Sequence, residues 1–256
     1  MASNDSIKQT LIVAGALCVV CALVVSSAAV SLKPQQQANQ ETDRKTNILA
    51  AAGLLQDGVS IDEQFASVEV RVVDLRTGEF TTEVDAAGYD QIKAAKDPSR
   101  STKLSAEEDT AKIFRREHFA TVYLVKKGDA IDKLILPVRG YGLWGTLYGF
   151  LALEGDANTV AGLGFYDHKE TPGLGGEVDN PNWKQKWPGK EIYANGKAAV
   201  QLIKGSVDPA SPSASYSVDG LSGATLTSRG VTNLLQFWMS EKGYKPFLDK
   251  LRNGEV

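Results

Sequence analysis

Asp219-Gly220-Leu221-Ser222-Gly223-Ala224-Thr225-Leu226-Thr227-Ser228 is the most informative stretch of this chain. Hydroxyl side chains stand at 222, 225, 227 and 228, glycines at 220 and 223, and an amphipathic run follows at once. Glycine lets a ligand come close to the backbone. A helix start offers unpaired N–H groups and the positive end of a dipole, a setting that suits phosphate. A hydroxyl there can cap the helix, bind a phosphate, or be joined to one. Behind the motif, Val231, Leu234, Leu235, Trp238 and Met239 recur at i, i+3, i+4, i+7 and i+8, which predicts a helix. Gly243 and then Pro246 mark its stop. Arg229 falls in the first turn, where a cation opposes the dipole unless an anion faces it.

Upstream of the motif the pattern is β-like. Val68–Val73, Phe119–Val125, Lys133–Val138, Leu147–Leu153 and Val160–Tyr166 read as strands. Arg76-Thr77-Gly78, Lys127-Gly128-Asp129 and Gly155-Asp156 are turns between them, and Tyr89–Asp109 is charged, with helical pieces and loop. Asp208–Ser217 is a Pro/Ser-rich loop. The soluble part is therefore predicted to be α+β, with antiparallel strands and packed helices.

The N-terminus is of another kind. Thr10–Val30 has no charge and no proline, and at ~1.5 Å per residue it reaches about 30 Å, the thickness of a bilayer core. The competing reading is a cleaved signal peptide with Ser27-Ala28-Ala29 at its end, but the apolar run is long and Lys8 is partly offset by Asp5. Charges on either side (Lys8 against Lys33, Arg44 and Lys45) leave the orientation undetermined. Residues 1–33 are read as a transmembrane anchor (span about 10–30), 34–47 as a polar stalk or polar helix, and 48–256 as the soluble domain, opening on a short helix from Ile48 to Leu55. Cys18 and Cys21 lie inside the apolar run and read as small buried hydrophobes. The soluble part has neither disulfides nor thiolate ligands, and with only His118 and His168 scattered in the chain no metal site is expected. The balance of 28 basic and 31 acidic residues points away from nucleic acid.

Two glycine-rich segments invite chemistry. Gly140-Tyr141-Gly142-Leu143-Trp144-Gly145 matches G-x-G-x-x-G, but a strand rather than a helix follows, so a β-connection open to a flat ligand is expected instead of a dinucleotide turn. Trp144 either stacks on such a ligand or packs the core. The loop His168–Gly176 combines Pro-Gly and Gly-Gly turns with Glu170, Thr171 and Leu174. Gly220-Leu221-Ser222-Gly223-Ala224 approaches the nucleophile elbow, with Asp219 and His168 as paper partners, but ends in Ala and follows a loop. A cap alone explains one hydroxyl, not four with Gly223.

The motif resembles the S-G-A-T flavinylation motif of the FMN-binding domain family. The wider chain is similar to the C-subunit family of sodium-translocating NADH:quinone reductases. That similarity includes the single N-terminal anchor, Ile135-Leu136-Pro137-Val138 leading to Gly142-Leu143-Trp144, the loop Glu170–Gly176, and the S-G-A-T helix start. The resemblance implies FMN joined through its phosphate to Thr225 by a flavin transferase. Ser222, Gly223, Ala224, Leu226, Thr227, Trp144, Glu170, Thr171 and Leu174 would surround the flavin, within a core of about 134–242. It further implies an electron-carrying subunit with no catalytic acid or base, working with other subunits of a complex that oxidises NADH, reduces ubiquinone and pumps sodium. The soluble domain would lie in the periplasm, tethered to a bacterial inner membrane by the one helix. Small residues at 14, 15, 16 and 22 would admit close packing against neighbouring helices. The alternative is a membrane-tethered, non-redox binding or scaffold domain for a phosphate-bearing ligand.

Overall fold

A computed structural model describes residues 6–255; Asp5 and the first residues of the expected anchor lie outside that description. The chain divides into two compact units, one up to Arg44 and one from Lys45 onward. Helix α1 (Ile7–Ala51) runs across the boundary without a break and passes through Pro34. The expected stalk is thus a polar helix, and Ile48 belongs to its last turn rather than to a separate short helix. Gln, Ala, Glu and Lys dominate positions 35–45 and favour helix, which outweighs the single proline, whose cost of about 3 kcal/mol is confined to one turn. Among the described residues this is the one helix long and apolar enough to cross a membrane, and its apolar window is wholly exposed.

In the second unit, a five-residue helix α2 (Ile61–Phe65) precedes β1 (Val68–Asp74) and β2 (Glu79–Thr81). A charged excursion follows, with α3 (Gln91–Lys96), β3 (Ser101–Lys103) and β4 (Arg115–Glu117). The meander β5 (Phe119–Lys127), β6 (Ala130–Tyr141), β7 (Thr146–Glu154) and β8 (Val160–Asp167) then completes a six-stranded antiparallel sheet of order β2-β1-β5-β6-β7-β8. The remaining elements are 3-10 helices at Gly175–Asp179 and Ala214–Tyr216, α4 (Pro181–Lys184), the short strands β9 (Tyr193–Ala194), β10 (Lys197–Ala198), β11 (Gln201–Ile203) and β12 (Ser217–Asp219), and the helices α5 (Thr225–Trp238) and α6 (Lys245–Arg252).

Alternate residues of a strand face opposite sides of the sheet, and both sides here are covered. On β6, Leu134, Leu136 and Val138 join the cluster built with α5 and α6, whereas Ile135 joins Ile48, Leu49, Ala51 and Ala52 on the other face. Helix α5 lies close on β6 because Gly140 and Gly230 have no side chain. A Cβ at Gly140 would come 2.4 Å from the Leu234 Cβ, and one at Gly230 would come 2.5 Å from the Tyr141 carbonyl oxygen. Two hydrogen bonds fix the register of this layer: Trp238 Nε1 donates to the Arg139 carbonyl at 2.8 Å, and the Tyr244 hydroxyl donates to the Pro137 carbonyl at 2.8 Å. Helix α5 ends at Trp238, earlier than Gly243, and Pro246 opens α6 instead of merely terminating α5, as a proline in a first turn does.

Candidate functional site

The glycine-rich hairpin is a β-connection. Tyr141 of β6 pairs with Thr146 of β7, and the Gly142 N–H donates to the Gly145 carbonyl at 2.8 Å, closing a four-residue loop. No helix follows, so the dinucleotide turn is excluded by geometry. Trp144 stands at the loop tip and is 62 % exposed, which removes its reading as a core residue.

The motif enters through β12, a three-residue strand paired parallel to β11. This strand was not expected, since Ser-Val-Asp holds a single apolar residue. Its presence gives Ser222 the strand-turn-helix approach that a nucleophile elbow needs, so the hydrolase reading falls on other grounds. The Asp219 carboxylate accepts from the Val207 N–H at 2.8 Å and pairs with Lys186. The His168 Nε2 faces Asp179 Oδ2 at 2.7 Å. Neither is directed to Ser222, which is exposed. With His168 Nδ1 accepting the Glu170 N–H at 3.2 Å, Nε2 carries the proton toward Asp179; this imidazole braces the loop.

Helix α5 begins at Thr225 with Ala224 as its N-cap, and no side chain caps its first amides. The four hydroxyls divide into two pairs. The Ser228 Oγ accepts the Leu221 N–H at 3.0 Å, and the Thr227 hydroxyl donates to Glu170 Oε2 at 2.5 Å; both residues are buried. Ser222 and Thr225 are exposed. Simple capping is therefore ruled out, and among the described residues neither the Thr225 hydroxyl nor the amides of Thr225–Thr227 at the start of the helix have a protein partner. Gly223 sits in the left-handed region, with φ +71°, and a Cβ there would meet Leu174 Cδ2 at 2.9 Å. Ala224 is buried beneath the turn, whereas Leu226 is 53 % exposed. Arg229 is exposed and makes no ion pair among the described residues.

Glu170 joins these parts. Its Oε1 accepts the N–H groups of Leu143 and Trp144 at 2.9 and 3.0 Å, and its Oε2 takes the Thr227 hydroxyl. The Thr171 side chain is exposed, and its carbonyl accepts from Leu174 and Gly176. Trp144, Glu170, Leu174, Gly223 and Thr227 thus come together from three separate stretches. Sequence reasoning gave no role to the exposed side chains of Tyr141 and Leu143, which widen the apolar rim beside Trp144. Their signal, large apolar residues in a glycine-rich hairpin tip, was present. The arrangement suits a ligand with a phosphate at one end, met by helix amides, and a flat apolar body at the other, met by Trp144, Leu174 and Leu226.

Sheet, uncapped helix and exposed apolar rim define a domain suited to a flat ligand that carries a phosphate. Residues 142–240 match the FMN-binding domain family, and FMN is the cofactor. The chain belongs to the C-subunit (NqrC) family of Na(+)-translocating NADH-quinone reductases, membrane-associated members of an oxidoreductase complex. It is 56 % identical to the C-subunit from Pseudomonas aeruginosa, over 100 % of both chains. It is 51 % identical to the one from Vibrio vulnificus over 99 % of each. Among solved structures, NqrC of Shewanella oneidensis superposes with a TM-score of 0.77 at 33 % identity, covering 84 % of this chain and 99 % of that one. The C-subunit from Parabacteroides distasonis gives 0.66 at 29 % identity, covering 85 % and 96 %.

Proposed function

We propose that this chain holds FMN as a phosphodiester on Thr225 and relays electrons toward ubiquinone within a sodium-translocating NADH:quinone reductase. The observation that carries this reading is the exposed Thr225 hydroxyl at the start of an uncapped helix. When bound, FMN supplies the redox chemistry. The chain itself holds and orients. In attachment, Thr225 Oγ would be the nucleophile on phosphorus. Direct condensation of a phosphate monoester with an alcohol is uphill in water, so an activated flavin phosphate would be the donor: the Oγ–P bond would form as the P–O bond to its leaving group breaks, and the hydroxyl proton would pass to a base of the transferase.

The amides of Thr225–Thr227 then face the remaining phosphate charge, since the Ala224 N–H is held by the Leu221 carbonyl at 3.1 Å, and Arg229 gains an anion. Trp144, Leu174 and Leu226 offer apolar contact to the ring system, while Ser222, Gly223, Ala224 and Thr171 shape the turns beside it. Glu170 and Thr227 support the site from below. No side chain here is assigned acid or base work. On this reading the chain comprises an anchor (1–33), a helical stalk (34–47) and a soluble domain (48–256, FMN core about 134–242), and its likeness to the C-subunit family supports a flavin on the periplasmic side of a bacterial inner membrane, among the other subunits of the complex. The test is production beside a flavin transferase. Wild-type protein retains flavin fluorescence in a denaturing gel and gains the mass of FMN less water, and Thr225→Ala loses both. Retention of covalent flavin by Thr225→Ala overturns the attachment, and a colourless wild type supports a non-redox scaffold.

A further inference from the structure

Glu170 is buried, at 5 % exposure, in a loop that is otherwise mostly exposed. A buried carboxylate is costly unless its oxygens are bonded. Both are, and to different elements: Oε1 to the amides of Leu143 and Trp144 at the hairpin tip, and Oε2 to the Thr227 hydroxyl in the first turn of α5. Two glycines make room for it. A Cβ at Gly142 would lie 2.6 Å from Oε1, and one at Gly175 would lie 2.5 Å from Oε2 and 2.6 Å from the Thr227 Oγ1. His168 holds the Glu170 backbone from the other side.

We infer that Glu170 is a positioning residue. Its carboxylate fixes the hairpin tip bearing Trp144 relative to the helix start bearing Thr225, so that the apolar rim and the acceptor hydroxyl are presented as one surface. Its oxygens are spent on the protein, and it acts on the flavin only through those two elements. The side chain sits by the first turn of α5. The consequence for flavin attachment rests on the Thr225 reading above; the clamp itself does not.

The two arms are separable. Glu170→Ala cuts both, Thr227→Val cuts only the helix arm, and Glu170→Gln keeps both, since its amide oxygen still accepts from Leu143 and Trp144 and its NH2 donates to the Thr227 oxygen. Two readouts apply to the full-length chain: hydrogen exchange of the hairpin amides without the transferase, and covalent flavin per chain at a fixed time after transferase induction. In Glu170→Ala, exchange at Leu143 and Trp144 rises about tenfold and flavin loading falls about tenfold, as expected for losing charge-assisted buried bonds. Glu170→Gln restores most of both. Thr227→Val leaves the hairpin amides protected but loads more slowly than wild type. If Glu170→Ala fails to fold by circular dichroism, Gln and Val variants carry the test. Wild-type protection and loading in Glu170→Ala, or an unprotected hairpin in Thr227→Val, overturns the clamp. Failure of the Thr225 reading shows differently: wild type stays unloaded, while the amide exchange still reports on Glu170.

Discussion

Gly230→Ala sets two physical effects against each other, and the structure decides which one wins. Gly230 lies inside α5 at an ordinary helical φ, so alanine gains about 1 kcal/mol of helix propensity. The new Cβ, however, would sit 2.5 Å from the Tyr141 carbonyl oxygen and 2.9 Å from the Gly142 Cα. Ordinary contact begins near 3.4 Å, so the helix start must withdraw from the hairpin by about 0.9 Å. The obstacles are backbone atoms, and no rotamer change relieves them. The cost therefore lies at the upper end of overpacking, about 3 kcal/mol. The net loss is about 2 kcal/mol, or a fall in Tm of about 4–8 °C for a domain of this size. The same withdrawal carries Thr225 away from Trp144, so flavin loading beside the transferase drops as well. Thermal unfolding in detergent, paired with in-gel flavin fluorescence, reads both. A Tm at or above wild type would mean that propensity dominates and that α5 does not bear on the hairpin backbone as described.

Two further predictions address the rim and the motif's first residue. Trp144→Ala changes stability by less than the ~0.5 kcal/mol typical of an exposed position, because the ring is 62 % exposed, yet it raises the emission of the attached flavin by removing a stacking quencher; a large Tm loss with unchanged emission refutes the ligand-facing role. For Asp219, burial pushes its carboxyl pKa up, but the Lys186 ammonium and the Val207 amide outweigh this and hold it below the ordinary 3.8. With the folded-state pKa the lower one, this stabilisation is complete above 3.8 and is lost as pH falls through the folded value. Wild-type Tm should consequently fall more steeply than that of Asp219→Asn as pH is lowered from about 4 to about 2, and parallel curves would remove Asp219 as an anchor of the loop before the motif.

Legibility in the sequence followed periodicity. The strands β5 to β8 were readable because Val, Leu and Ile alternate between turn signals. Helix α5 was readable because its buried face repeats at i, i+3 and i+4. What escaped notice was short or ambiguous. Strand β12 has one apolar residue, and α6 was masked by Pro246, which reads equally as a stop or as a first-turn residue. The continuity of α1 was hidden by Pro34 and by a polar composition that suits both a loose stalk and a helix. At the site, the sequence supplied the participants but not their allegiance. Thr225 and Thr227 are the same residue two positions apart, and the helical turn sends one hydroxyl outward and the other to Glu170. A carboxylate in a glycine-rich loop carries no sign of whether it faces a ligand or, as Glu170 does, the protein.

The exposed hydroxyl of Thr225 has a consequence for what the rest of the surface must achieve. A ligand that diffuses in has to be retained by affinity, which calls for enclosure on several sides. A ligand tied by one bond is present at an effective concentration set by its leash, in the millimolar range for a short one. Under the proposed attachment, contacts as sparse as Trp144, Leu174 and Leu226 suffice to choose an orientation. One face of the ring can then stay open to whichever protein delivers or collects the electron.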